Sequence, residues 1–253
     1  MNRLRRMYDF YVRHVSTEDT TSLAYYFILS LIPAATLLAS FAQLLHFDLA
    51  EDTSVIKTVF NENIANSMIE ILTSRSVSYY SIITLLICLY VCSKGIYRVT
   101  RTVDYMYKVD PKPYMPARFT AALNTLLLVV LILGLMVLMT IVPFILNLLN
   151  LGPIWSLIQF GGGFFFVLII MLIMFKVVPS IPLTLKEIYR GALVTSVLFI
   201  LIIFGFSIYL RFANYTTIYG PFASVAVLLL MFDFFAKAIY IGFAVNALDQ
   251  YIM

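Results

Sequence analysis

The chain has 253 residues, 62% of them hydrophobic and only 12% charged, with a mean hydropathy of +0.96. Soluble domains carry about 25% charged residues, so a soluble enzyme or nucleic-acid-binding module is excluded and the composition is that of a polytopic membrane protein. The formal net charge of +4 therefore reports topology before it reports any partner.

The chain opens on a basic arm, MNRLRRMYDFYVRHVSTEDTT, ahead of an apolar run. Ser40-Phe41-Ala42 resembles a signal cleavage site, but the run exceeds the about 7–15 residues of a signal h-region, which predicts a retained span. Within the arm, Leu4, Met7, Phe10 and Tyr11 share one helical face while Arg3, Arg6 and Arg13 fall elsewhere. Such a basic amphipathic helix lies on an anionic leaflet or simply fixes topology.

Six spans are predicted, at 22–45, 79–95, 119–147, 154–178, 188–210 and 221–247. They are helices, because backbone in lipid must satisfy its own hydrogen bonds and the runs are too long and continuous for barrel strands. The first holds Pro33 beside Ser30; a proline here kinks the helix or opens a carbonyl to a ligand. The second holds Cys88 and Cys92, read as small packing residues, and Lys94 near its end. After it, Ile96, Val99, Val103 and Met106 repeat at helical spacing with Arg98, Arg101 and Lys108 off the stripe, predicting a second interfacial helix. The stretch from His46 to Ser78 is the one sizeable external loop, with a solvated acidic face. In the fourth span Gly161-Gly162-Gly163 predicts a close helix–helix contact.

Lysine and arginine set the orientation. Four precede the first span, five lie between the second and third, and three at the connection of the fourth to the fifth; Lys57, Arg75 and Arg211 lie on the other side. Twelve against three puts both termini in the cytoplasm.

The sixth span carries Asp233 and Lys237 inside an apolar stretch. A charge there costs roughly 2.5–3.5 kcal/mol on insertion scales, so the pair is retained for a reason. The i, i+4 spacing places both on one face, acid first, which is the better order for an ion pair. Either the pair locks helix packing or it works on a ligand or proton. Tyr219-Gly220-Pro221 makes a sharp approach to that helix. The polar residues expected to bind substrate are Ser30, Pro33, Lys94, Tyr219, Asp233, Lys237 and Asn246. No metalloprotease, hydrolase or phosphate-loop motif occurs. His14 and His46 fall on opposite sides of the predicted membrane, so no catalytic residue, metal or cofactor is expected.

Several segments resemble the YihY/BrkB family of bacterial inner-membrane proteins. SLAYYFILSLIPAA on the first span is similar to that family's A-Y-Y-x-x-x-S-x-x-P signature, and SKGIYRVTRTVDYMY resembles its segment after the second span. VVPSIPLTLKEIYRGAL, FGFSIYLRFANYTTIYG and IGFAVNAL extend the likeness to the last third. Pro221 and Asp233 depart from the family pattern. The resemblance implies one all-α transmembrane domain over residues 1–253, six helices, and a multi-pass protein of the bacterial plasma membrane. Members were once labelled a tRNA-processing ribonuclease; others are associated with envelope integrity and lipid export. The expected function is translocation of a lipid or lipid-linked glycan through a polar interhelical groove. An envelope-integrity scaffold is the alternative, and a membrane-bound ribonuclease ranks last. Membrane lipids with anionic headgroups are the expected partners, nucleic acid is not, and a homo-oligomer stays open.

Overall fold

A computed structural model describes residues 3–44, 80–110, 113–148, 152–212 and 221–252, together with residue 66. Every element in these segments is a helix: α1 (Arg3–His14), α2 (Thr17–Leu44), α3 (Tyr80–Met106), α4 (Tyr114–Leu148), α5 (Gly152–Val177), α6 (Leu185–Phe212) and α7 (Pro221–Ile252). No strand occurs among the described residues. The predicted loop from His46 to Ser78 and the Tyr219 site lie outside them.

Local chemistry sets the helix ends. Ser16 and Asp19 form a capping box at the start of α2: Ser16 N–H donates to Asp19 Oδ2 at 3.0 Å, and Asp19 N–H to Ser16 Oγ at 3.2 Å. Thr184 N–H and Oγ1–H donate to Glu187 Oε2 at 2.6 and 2.8 Å, repeating the device at α6. Each box satisfies donors that a helix start leaves without partners. Pro221 takes the first position of α7, where its missing N–H costs nothing. Lys108, at φ 54°, closes α3 in the left-handed region. Val109 N–H bonds the Asp104 carbonyl at 2.9 Å and Lys108 N–H that of Tyr105 at 3.2 Å, the paired bonds of a Schellman stop.

The six long helices close a ring: α2 packs on α3, α3 on α4, α4 on α5, α5 on α6, α6 on α7, and α7 back on α2. The short α1 lies against α7 and α3. Three described windows are long and apolar enough to cross a membrane: Tyr114–Leu131 in α4, Leu185–Tyr209 in α6 and Ala226–Leu248 in α7. Exposed Phe119, Leu123 and Leu127 on α4, and Ile200, Leu201 and Phe204 on α6, give the ring an apolar exterior.

The described core sits where α2 begins, α3 and α5 end, α6 begins and α7 nears its end. It includes Leu23, Val103, Met106, Phe175, Ile188, Tyr240 and Phe243. Its tightest seam is α6 on α7. A Cβ on Gly191 would strike the Gly242 carbonyl oxygen, and one on Gly242 would strike Thr195 Oγ1. Two small residues thus let two backbones touch. Asn246 crosses the seam, accepting from Gly191 N–H at 2.7 Å and donating to the Ile188 carbonyl at 3.2 Å. Phe175 stacks on Phe243 beside it, ring centroids 4.1 Å apart.

Three expectations are corrected. The stripe after the second span is not a separate interfacial helix: α3 runs unbroken from Tyr80 to Met106, and Val99, Val103 and Met106 are buried in the protein core rather than laid on lipid. Burying each such side chain contributes about 1.5–3 kcal/mol, and no proline interrupts the helix. The apolar face of α1 likewise turns inward, with Phe10 and Tyr11 packed on the core. Of the glycine run, Gly163 makes no close contact, no neighbouring helix coming within 4 Å of a built Cβ there; the closest approaches seen among the described residues are at Gly191 and Gly242.

Candidate functional site

Asp19 anchors a polar cluster at the junction of α1, α2, α3 and α7. Its Oδ1 accepts from Arg98 Nη2 at 2.9 Å and from Thr102 Oγ1 at 3.1 Å. Its Oδ2 is held by the capping box, with Ser16 Oγ–H donating at 2.8 Å. One carboxylate therefore starts α2 and ties it to α3. The wholly buried Tyr240 of α7 turns its hydroxyl toward Thr102 without completing a hydrogen bond, and Arg98 Nε is buried with no acceptor among the described residues. Unpaired buried polar atoms of this kind each cost about 1–3 kcal/mol, and they concentrate at sites with a use for them.

Tyr11 of α1 packs on the core and feels the charges of both Asp19 and Asp233. Burial, and then the negative charges of Asp233 and Asp19, push its hydroxyl pKa up to about 12. Asp233 Oδ2 and Lys237 Nζ meet at 2.6 Å, with 16% and 40% of the side chains exposed. The ammonium also lies 5.4 Å from the Phe234 ring centroid. Asp233 Oδ1 is buried and without a partner among the described residues, so the carboxylate has acceptor capacity that Lys237 does not use.

Of the other residues singled out from the sequence, Ser30 Oγ–H donates to the Phe27 carbonyl at 2.9 Å, and Phe27 packs 5.7 Å from Phe232 across α2 and α7. Helix α2 continues through Pro33 to Leu44; the proline ring lies outside the described side chains. Lys94 Nζ sits 4.5 Å from the Tyr90 ring centroid on its own helix. Asn246 lies in the α6–α7 seam, apart from the pair.

Two hollows flank α3, and Tyr97, Arg101 and Tyr105, spaced i, i+4, i+8, form the rib between them. One, about 150 Å³, is bounded by Thr120 and Asn124 of α4 and by Ser180. There Asp104 accepts from Ser180 N–H at 2.9 Å and Oγ–H at 2.7 Å, while Asn124 Nδ2 donates to the Val177 carbonyl at 2.8 Å. Those bonds tie the end of α5 to α3 and α4. The other hollow, about 460 Å³ and more open, is bounded by Arg13 and His14 of α1, Ser16 and Asp19 at the start of α2, and Arg98 and Arg101 of α3. Among the described residues no group of three His, Cys, Asp or Glu is placed to share a metal ion.

The family described as virulence factor BrkB matches residues 11–252. A Bacillus subtilis protein named ribonuclease-like protein YfkH is 24% identical over 262 residues, covering 98% of this chain and 95% of its own. A protein of Chromobacterium violaceum named UPF0761 membrane protein is 34% identical over 82 residues, covering 32% of this chain and 20% of its own. No solved structure matches the chain.

Proposed function

The chain belongs to the BrkB family, and from that premise we propose that it is a six-span protein of the bacterial plasma membrane that translocates a lipid or lipid-linked glycan. The observation that carries this reading is the Asp233–Lys237 pair. It sits in Ala226–Leu248, the membrane-length window with the largest share of its residues buried inside the protein, keeps part of both side chains accessible, and leaves one buried carboxylate oxygen unused. A pair meant only to lock packing gains by satisfying every polar atom; this one retains an acceptor for a hydroxyl, an ammonium or a proton. The headgroup passes along this polar face while the acyl chains stay in lipid. The twelve-to-three lysine and arginine asymmetry supports cytoplasmic termini.

The test is a mutant cycle read two ways. Asp233→Asn and Lys237→Met alone each leave a charge unpaired. The expected cost lies below the about 3–5 kcal/mol of a fully buried pair, because Lys237 is 40% exposed. The double variant regains the thermal midpoint in detergent but not the rate of lipid translocation in vesicles. A double variant that is stable and fully active would instead make the pair a packing device and favour the scaffold.

A further inference from the structure

We propose that the open hollow between the end of α1, the start of α2 and α3 binds the phosphate group of an anionic headgroup. It carries three guanidinium groups, Arg13, Arg98 and Arg101, against one carboxylate, Asp19. That carboxylate is already spent: Oδ1 holds Arg98 and Thr102, and Oδ2 holds both donors of Ser16. Among the described residues neither Arg13 nor Arg101 has an acidic partner. Arg101 Nη1 donates to the Tyr97 hydroxyl at a long 3.3 Å, and the side chain lines the hollow. His14 is fixed at the rim by a 2.8 Å bond from Nδ1 to the Phe10 carbonyl, and its ring meets that of Tyr105 at 5.4 Å.

Guanidinium forks match the paired oxygens of a phosphate better than a point charge does. The volume, about 460 Å³, falls in the about 300–1,000 Å³ class of small-ligand pockets. Tyr97 and Tyr105 at the rib are ring-and-hydroxyl side chains of the kind that collect at headgroup level. Behind the hollow, the Asp19–Arg98 pair is tied to Thr102 of α3. The inference rests on the translocation reading for its purpose. Its test is binding, which would survive the failure of that reading.

The full chain in detergent is titrated with dioctanoyl phosphatidylglycerol, and separately with inorganic phosphate. Arg13→Gln with Arg101→Gln should weaken binding about 25-fold, taking each basic residue near a headgroup as worth about fivefold. Lys176→Gln with Lys186→Gln, which removes the same charge from exposed sites on α5 and α6, should leave affinity within about twofold. Preference for the lipid over inorganic phosphate identifies a headgroup; equal affinity identifies free phosphate, and both support the site. Equal affinity of the arginine variant and the unaltered protein, or equal weakening by the lysine variant, overturns it. Should the arginine double variant fail to fold, Arg13→Gln alone, on a side chain exposed at the end of α1, tests the same site, with an expected loss of about fivefold; an unchanged affinity there overturns it equally.

Discussion

Gly242→Ala is the sharpest probe of the α6–α7 seam. The added methyl would overlap Thr195 Oγ1 and lie 2.7 and 2.8 Å from Phe175 Cζ and Cε2. Neither neighbour yields cheaply. Phe175 is fully buried and stacked on Phe243, and Thr195 Oγ1–H donates to the Ala238 carbonyl at 3.2 Å. Overpacking of this kind costs about 1–3 kcal/mol, and the rigidity of both neighbours points to the upper end. Thr195→Ala alone loses one buried hydrogen bond, about 1 kcal/mol. Combined, the two should cost less than their sum by at least about 1 kcal/mol, because the threonine hydroxyl is the nearest obstacle and the sites share it. The assay is denaturant unfolding in detergent for both singles and the double. Additive costs, or a Gly242→Ala chain as stable as the unaltered protein, would show that the helices do not meet at Gly242.

The topology is checked with single cysteines at Asn2, Asn63 and Tyr251 in a background lacking Cys88 and Cys92. An impermeant thiol reagent should label only Asn63 from outside intact cells, and labelling at either terminus would reverse the orientation. Tyr11 gives a signature in alkali. Its pKa rises from 10.0 in the unfolded chain to about 12 when folded, so the folded state holds the proton more tightly. The contribution is whole below pH 10 and is lost as pH climbs toward 12. Tyr11→Phe should flatten the fall of the thermal midpoint across that window, and an unchanged slope would show that the hydroxyl is neither buried in the folded protein nor close to the two carboxylates.

The helices were legible because long apolar runs leave few alternatives, and Pro221 marks the start of the last one; the Ser16–Asp19 box, which begins α2 at Thr17 rather than at the expected residue 22, was not read from the sequence. What covers a helical face was not legible either. Val99, Val103 and Met106 make the same stripe whether lipid or protein lies against it, and periodicity carries no information about the neighbour. The Asp233–Lys237 pair stood out because charge is rare in such a segment and the partners are four residues apart. The Asp19–Arg98 pair was hidden by distance along the chain, and because Arg98 already had a local reason as a topology charge. Gly191 and Gly242 were hidden similarly, since a glycine reveals a contact only once the facing helix is known, whereas the triple glycine is conspicuous by itself.

The contact of α7 with α2 has a consequence for biogenesis. The ribosome delivers α7 after the other six helices, so during synthesis Asp19 and Arg98 wait on an open arc with no Tyr240 to cover them. A chain arrested before α7 leaves that polar cluster uncovered at the edges of α2 and α3. Closure also brings the first and last long helices side by side, so that Asp19 and Tyr240, more than two hundred residues apart in the chain, stand at one junction.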